Sequence, residues 1–295
     1  MTWWAVAEAG HDFVLACFEH TDRLAHLFGH LALPEHPRHD VKLAKRYGAE
    51  LFKAYQRMDA FVGKVLDALE PEDRLIVMSD HGFAPWAHQV NINSWLAGQG
   101  FMALREPVSA ERTLDDLFES TAFFQNVEWE GTQAYGLGLS SIYLNLEGRE
   151  GRGIVPPGRS EQRVKQEIAR GLLELKHGPD AEPVVGRVVL PEREMWGLAL
   201  VDAPDLVVGF NPGYRTAWQS SLGAVSPDVV FPNLGPWASD HCSTDPGRVP
   251  GLLAANRSII KAGAGLADIG ATVLAHFGLT PGEPLDGQDL FSENG

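Results

Sequence analysis

The chain has 295 residues, of which 44% are apolar and 21% are charged, a composition typical of a folded globular protein and not of a disordered one. Its formal net charge of -15 works against attraction to a phosphate backbone, so we expect no nonspecific binding of nucleic acid. No apolar run approaches the ~20 residues that span a bilayer, so we expect no membrane span. The N-terminus lacks the basic and apolar regions of a signal peptide, so we expect a cytoplasmic location.

The first informative stretch follows an apolar run near the N-terminus. Residues 13–18 are predicted to form a buried strand, and the helix expected after it would place Asp22 and His26, four residues apart, on one face. Carboxylate and imidazole bind zinc-class cations, so this spacing offers two metal ligands. The structural alternative, in which Asp22 caps the helix and His26 packs beside it, has equal weight because such caps are common.

A long helix and a second strand come next. Apolar residues recur at three- and four-residue spacing from Leu43 to Leu69, which predicts a single helix that begins near Asp40 and ends at Glu70 and Pro71. Residues 75–78 are a further apolar run, and Asp80 and His81 follow it. Strand, helix and strand predict a βαβ crossover that places both Asp/His clusters at one edge of a parallel sheet. Alone, the second cluster is a weaker signal, because neighbouring residues of a strand point to opposite sides unless Gly82 turns the backbone.

The middle of the chain is less regular than its ends. Residues 90–236 contain Gly- and Pro-rich joints, and we interpret them as an inserted or elaborated region within a single domain that spans the whole chain. Within this region the pattern predicts a helix over 161–175 and a strand over 206–210. The tail is regular again, with a helix predicted over 268–277 and Asp268 as its N-cap.

A third polar cluster lies in the loop over residues 237–245, which contains His241. Alone, this histidine predicts little, because a loop histidine is usually solvated. The same loop carries Cys242, and the only other cysteine is Cys17. Two cysteines are too few for a disulfide framework and fit a reducing compartment, although a single bridge between them stays open.

Taken in order along the chain, these segments resemble the alkaline phosphatase superfamily, and within it the type I phosphodiesterase/nucleotide pyrophosphatase-like proteins. Residues 21–28 with 34–37 resemble the first metal motif of that family, residues 78–83 the second, and residues 239–242 the third. Further stretches resemble the bacterial branch and the closing helix and turn of the family: 134–139, 142–146, 148–151, 268–274 and 285–288. The resemblance covers almost the whole chain, and the matches keep the order of the family.

The resemblance implies an α/β fold with a mostly parallel sheet and helices on both faces. It also implies two adjacent sites for divalent cations, zinc or alternatively manganese. Asp22, His26 and His241 would form one site, and Asp80 and His81 would contribute to the other. In the family the second site also takes an aspartate from the first strand and a nucleophilic Thr or Ser, and neither has a counterpart here. We therefore expect a chain truncated at its N-terminus that carries most of the metal ligands and lacks the nucleophile.

The implied function is that of a two-metal phosphoester hydrolase acting on small phosphate esters, of the phosphodiesterase or nucleotide pyrophosphatase type. Two alternatives stay open: a metal-dependent phosphomutase of the same superfamily and a non-catalytic metal-binding remnant. A phosphomutase would need an Arg- and Lys-rich phosphosugar pocket, and no such cluster stands out in the sequence. Without its upstream segment the chain is expected to hydrolyse phosphoesters poorly and to expose residues 13–18 as an edge open to homodimer formation.

Overall fold

A computed structural model describes residues 2–108, 114, 117–118 and 123–291. The described residues form helices and strands in a mixed α/β arrangement, which confirms the expected class. They fall into two compact units. The smaller unit lies within segments 1–19, 52–82 and 250–295, and the larger unit within 20–51 and 83–249. The single domain with an inserted region stays a prediction.

The helices and strands are numbered here in chain order. The helices are α1 (Thr2–Ala7), α2 (His20–Phe28), α3 (Val41–Tyr47), α4 (Glu50–Leu66), α5 (Ile92–Gly98), α6 (Arg159–Leu173), α7 (Pro191–Glu194), α8 (Trp218–Ser221) and α9 (Leu266–His276). The strands are β1 (Ile76–Met78), β2 (Ala84–Val90), β3 (Ala103–Leu104), β4 (Val127–Glu128), β5 (Ala134–Leu137), β6 (Ser141–Leu144), β7 (Lys176–His177), β8 (Glu182–Pro183), β9 (Val185–Val189), β10 (Leu206–Phe210), β11 (Gly213–Thr216), β12 (Val230–Pro232), β13 (Ser239–Asp240) and β14 (Leu253–Ala255). None of these helices combines the length and the apolar character needed to cross a membrane.

The core of the larger unit is built on a four-stranded antiparallel sheet in the order β5-β6-β10-β9. Helix α6 packs on this sheet, and its Ile168 and Leu172, four residues apart, are fully buried. They belong to the same apolar cluster as Ile142, Leu144 and Leu206 of the sheet. Since burying one such side chain contributes about 1.5–3 kcal/mol, this cluster supplies much of the stability of the unit.

A second sheet in the larger unit is organised around β2. Strand β11 pairs with β2 in parallel, whereas β12 and β13 pair with it antiparallel. At the start of β2, Ser239 lies opposite Pro85 and Asp240 lies opposite Ala84. The N–H of Ala238 donates to the carbonyl oxygen of His26 at 2.7 Å. The segment just before His241 is therefore held by β2 and by the end of α2.

The prediction of a mostly parallel sheet is not confirmed. Among the strand pairs that the structure describes, only β2 with β11 runs parallel. Residues 13–18 form no strand and are mostly exposed, so the predicted βαβ crossover is wrong. Strand β1 pairs antiparallel with β14 in the smaller unit instead. An apolar run favours an extended segment, but a sheet forms only where a partner strand is available, and the local pattern does not encode that partner.

The helix predicted over residues 40–70 is two helices, α3 and α4. Helix α3 begins where expected, and Asp40 caps it, since its Oδ1 accepts the N–H groups of Lys42 and Leu43 at 2.8 Å each. The break follows at Gly48, where an added Cβ would lie 2.6 Å from the carbonyl oxygen of Ala44. Glycine is about 1 kcal/mol less favourable than alanine inside a helix, which explains why the continuous apolar pattern does not give one continuous helix.

The remaining predicted elements are confirmed within a few residues. They are the strands β1 and β10 and the helices α6 and α9. Asp268, the expected N-cap of α9, lies instead inside the first turn of that helix. Its Oδ2 reaches back to accept the N–H of Gly265 at 2.8 Å, so it still satisfies a donor that the helix start leaves unpaired.

Candidate metal centre

Helix α2 brings the first two predicted ligands together. Asp22 lies inside the first turn and His26 in the last turn, and the distance from Asp22 Oδ1 to His26 Nε2 is 3.6 Å. The predicted placement of the two side chains on one helix face is confirmed. His26 is almost fully buried, whereas the Asp22 side chain is 38% exposed. A carboxylate that meets solvent thus stands beside a histidine that packing holds in place.

Hydrogen bonding fixes the orientation of the His26 ring. Its Nδ1 lies 2.8 Å from the carbonyl oxygen of Ser239, which can only accept, so Nδ1 carries the proton. In the neutral ring, Nε2 then presents its lone pair toward Asp22, the arrangement that a backbone carbonyl gives to metal-binding histidines. Helix and strand approach so closely here that a Cβ added at Gly29 would lie 2.8 Å from Ser239 Cβ and nearer still to its hydroxyl.

The third predicted ligand reaches the same place from β13. His241 Nε2 lies 3.8 Å from Asp22 Oδ1, and one ligand atom from each of Asp22, His26 and His241 lies within 4.8 Å of the others. The aromatic ring of Phe83 meets both imidazoles edge-on, with centroid distances of 4.9 and 5.3 Å. Trp237 packs on His26 with centroids 3.9 Å apart. Two aromatic rings therefore pack against the imidazoles in a cluster of one carboxylate and two imidazoles.

Asp240, which precedes His241, forms a buried ion pair with Arg215 that the sequence did not predict. Asp240 Oδ2 is 2.7 Å from Arg215 Nε, and both side chains are 1% exposed. The other oxygen, Oδ1, accepts the backbone N–H groups of His241 and Cys242 at 2.7 and 2.9 Å. Asp240 was visible beside His241 in the sequence, but a single arginine in a short strand gave no signal of its own.

Cys242 offers an alternative ligand group with Asp240 and His241. Both carboxylate oxygens of Asp240 already have partners, which disfavours this group. Burial, with the charge of Asp240 as a second cause, raises the pKa of the Cys242 thiol to about 11, so the thiol stays protonated near neutrality. Cys17 and Cys242 are both free cysteines, so the bridge that the sequence left open is not formed. Asp22, His26 and His241 are the better match to a cation.

A nearby histidine has a structural role. His36 is buried, and its Nε2 donates to the carbonyl oxygen of Trp86 at 2.9 Å, while its Nδ1 accepts the N–H of Arg38 at 3.1 Å. Burial lowers the pKa of His36, so the ring is neutral with both nitrogens in use. It therefore joins the backbone of β2 to the segment after α2 and is not a ligand.

The two remaining predicted ligands lie in the smaller unit. Asp80 Oδ1 is 3.6 Å from His81 Nε2, and these side chains are 70% and 26% exposed. His81 Nδ1 lies 2.9 Å from the carbonyl oxygen of the next residue, Gly82. Beside them, Ser79 Oγ accepts the N–H of Leu252 at 2.8 Å. Among the described residues of the smaller unit, no third carboxylate, imidazole or thiol completes a three-ligand group with this pair.

Comparison with known families agrees with this chemistry. A family model described as type I phosphodiesterase / nucleotide pyrophosphatase matches residues 2–227, which is most of the chain. The match includes Asp22, His26, Asp80 and His81 and ends before His241, so the case for His241 rests on the geometry above. No curated protein matches the chain significantly.

Proposed function

The chain belongs to the type I phosphodiesterase/nucleotide pyrophosphatase family, and from this membership we propose that it is a metal-dependent hydrolase of phosphodiester or nucleotide-like phosphate bonds. The proposed tighter cation site consists of Asp22, His26 and His241. Asp80 and His81 contribute to a second, weaker site. Zinc is the expected metal, and manganese is the alternative.

The observation that carries the proposal is the convergence of one carboxylate and two imidazoles from distant parts of the larger unit. Mixed N/O ligation by three side chains is typical of catalytic zinc sites, which keep a further position for water or substrate. The hydrogen bond from His26 Nδ1 to the carbonyl oxygen of Ser239 also supports metal binding by His26, because it leaves Nε2 unprotonated. A cation bound there would supply positive charge to a phosphoryl oxygen in a chain whose net charge is -15.

The side chains of the chain itself prepare the site in three ways. Trp237 and Phe83 pack against the imidazoles and exclude water from their faces, so that charge interactions there are less screened. The partly exposed carboxylate of Asp22 faces the solvent side, from which a phosphate ester would enter. The hydrogen bond to Ser239 keeps the His26 ring oriented before a ligand arrives, and the bond to Asp240 fixes the backbone of His241.

The nucleophile stays unassigned. Among the hydroxyls close to the motifs, Ser79 Oγ already accepts a backbone N–H and Thr244 is buried. We therefore propose that Asp22, His26 and His241 position and polarise the ester, and we assign the attacking role to none of these hydroxyls. Turnover by this chain alone is expected to be slow for that reason.

The test compares substrates and metals. The protein is stripped with a chelator, reloaded with Zn²⁺ or Mn²⁺, and assayed with a nitrophenyl phosphate monoester and a bis-nitrophenyl diester. We expect metal-dependent release of nitrophenol, faster from the diester, that Asp22→Ala abolishes. Asp180→Ala, which removes an exposed carboxylate of the same unit, is the matched control and should retain wild-type activity. Hydrolysis that survives both chelation and Asp22→Ala would contradict the proposal.

A further inference from the structure

The strongest unexplained feature of the larger unit is the guanidinium of Arg215, which is fully buried. Its carbon lies 4.2 Å from the ring centre of Trp86 and 4.0 Å from that of Trp218, two rings that meet each other at a steep angle. Nη1 donates to the carbonyl oxygen of Thr216 at 3.1 Å, and Nε faces Asp240. A cation so thoroughly removed from water is expensive unless its partners are fixed, so its placement needs a reason.

One reason lies in what Asp240 does with its second oxygen. Oδ2 pairs with Arg215, while Oδ1 accepts the N–H groups of His241 and Cys242. The carboxylate therefore connects the buried guanidinium to the backbone of His241, one of the proposed ligands. Both contacts are made by the one rigid carboxylate of Asp240. A shift of the guanidinium would therefore also shift Asp240 and, through its hydrogen bond, the backbone of His241.

A second path leads from the same guanidinium to His26. Trp218, which covers one face of Arg215, meets Trp237 edge-on with ring centroids 6.0 Å apart. Trp237 in turn packs on the His26 ring at 3.9 Å. Arg215 is thus connected to both histidines, to His241 through the ion pair with Asp240 and one backbone hydrogen bond, and to His26 through aromatic packing.

We propose that Arg215 is a positioning residue for the metal centre, which holds Asp240 and Trp218 so that His241 and His26 face Asp22. This role rests on the proposed function, because it assumes that the three side chains bind a cation. Removing such an outer partner typically weakens metal binding about 10- to 100-fold while leaving the ligands themselves in the chain. The planar fork of arginine also explains why lysine would be only a partial substitute.

The first experiment measures Zn²⁺ affinity by competition with a chromophoric chelator, together with the visible absorption of the Co²⁺-loaded protein. Arg215→Met is expected to weaken Zn²⁺ binding about 10- to 100-fold and to alter the Co²⁺ spectrum. Arg215→Lys keeps the charge and should recover part of the affinity, and it decides the matter if the Met variant does not fold. The matched control is Lys165→Met, which removes another buried cation of the same unit, paired with Asp205 at 3.1 Å. It should lower the unfolding temperature without changing Zn²⁺ affinity or the spectrum.

The second experiment separates positioning from general destabilisation. If Arg215 acts through the ligands, Arg215→Met in a His241→Ala background should weaken Zn²⁺ binding by a smaller factor than it does in the wild type. Equal factors in both backgrounds would overturn the proposal. So would wild-type affinity in folded Arg215 variants, or a loss that Lys165→Met reproduces.

The Asp22→Ala variant distinguishes the failure of this inference from the failure of the proposed function. Unchanged Zn²⁺ binding by Asp22→Ala would overturn the metal site itself and the positioning role with it. A clear loss in Asp22→Ala, together with wild-type affinity in both Arg215 variants, would overturn the positioning role alone.

Discussion

The Asp22, His26 and His241 cluster of the larger unit and the Asp80 and His81 pair of the smaller unit use the same side-chain chemistry but are built differently. In the cluster, two elements far apart in sequence are joined by hydrogen bonds from His26 Nδ1 to the carbonyl oxygen of Ser239 and from the N–H of Ala238 to that of His26. In the pair, the two residues are neighbours, and Asp80 is largely exposed.

This difference in packing and hydrogen bonding determines how far each set of ligands is oriented before a cation binds. A ligand that packing and hydrogen bonds already orient loses little conformational entropy when it binds a cation, whereas an exposed side chain must be ordered at that moment. Identical residue types can therefore give sites of very different affinity. The cluster is expected to bind a divalent cation first and the pair to bind weakly.

The largest expected effect comes from removing one imidazole in each region. His26→Ala should weaken the tighter Zn²⁺ binding by about 100-fold or more, at or beyond the upper end of the loss typical of an outer partner. His81→Ala, the matched change in the smaller unit, should leave the tighter binding unchanged. Isothermal titration of the metal-free proteins measures both. Equal losses in the two variants would mean that the comparison between the regions is wrong.

The next effect concerns the close approach that builds the cluster. Gly29→Ala places a Cβ against the buried Ser239, so we expect a loss of about 3 kcal/mol in the free energy of unfolding. Gly63→Ala is the control in the other region, because a Cβ there meets nothing within 4 Å and helix α4 should gain about 0.5–1 kcal/mol. Denaturant unfolding measures both changes. Ser239→Gly should recover part of the Gly29→Ala loss, and no recovery would locate the strain elsewhere.

A smaller effect tests the smaller unit by pH. Hydrogen bonds from Lys261 first, and then from the N–H groups of Gln288 and Gly265, lower the pKa of Asp268 to about 2. Ionised Asp268 therefore stabilises the fold above about pH 4, and this contribution is lost as the pH falls toward 2. Asp268→Asn should cost at most about 2 kcal/mol at pH 7, and the gap to the wild type should close in acid. A gap that stays constant from pH 7 to pH 2 would contradict this assignment.

The smallest effect is expected in the larger unit at milder acidity. Burial lowers the pKa values of His36, His30 and His88, so the folded chain resists protonation there. Below about pH 6.5 the unfolded chain takes up protons first, and the stability of the larger unit should fall as the pH decreases further. Hydrogen exchange of β2 amides between pH 7 and 5 measures this. His36→Gln should flatten the dependence, and an unchanged slope would exclude His36 as a contributor.

The sequence predicted what depends on local spacing. Residues four apart share a face in any helix, and this spacing correctly predicted that the side chains of Asp22 and His26 lie together. The strand over 206–210 and the helix over 161–175 follow from periodicity in the same way. Each of these inferences needs only the residues within one element.

What the sequence could not supply is the identity of distant partners. Nothing near residues 75–78 indicates that β1 pairs antiparallel with β14 near the end of the chain. The prediction of a parallel sheet was wrong here for that reason. Arg215 is a single cation in a four-residue strand, and its connection to Asp240 exists only after β11 and β13 have both joined β2. The convergence of His241 with Asp22 was available from a family resemblance, but not from any local pattern.

The hydrogen bond from His26 to Ser239 joins residues 213 positions apart, which has a consequence for the nascent chain. At roughly 5–20 residues per second, the ribosome releases Ser239 about 10–40 s after His26. Throughout that interval Asp22 and His26 have no third ligand from β13. A cation bound by all three ligands can therefore stabilise the finished unit but cannot assist the folding steps that precede the synthesis of His241. Metal depletion during synthesis should then shorten the lifetime of the protein more than it lowers the yield of folded chains.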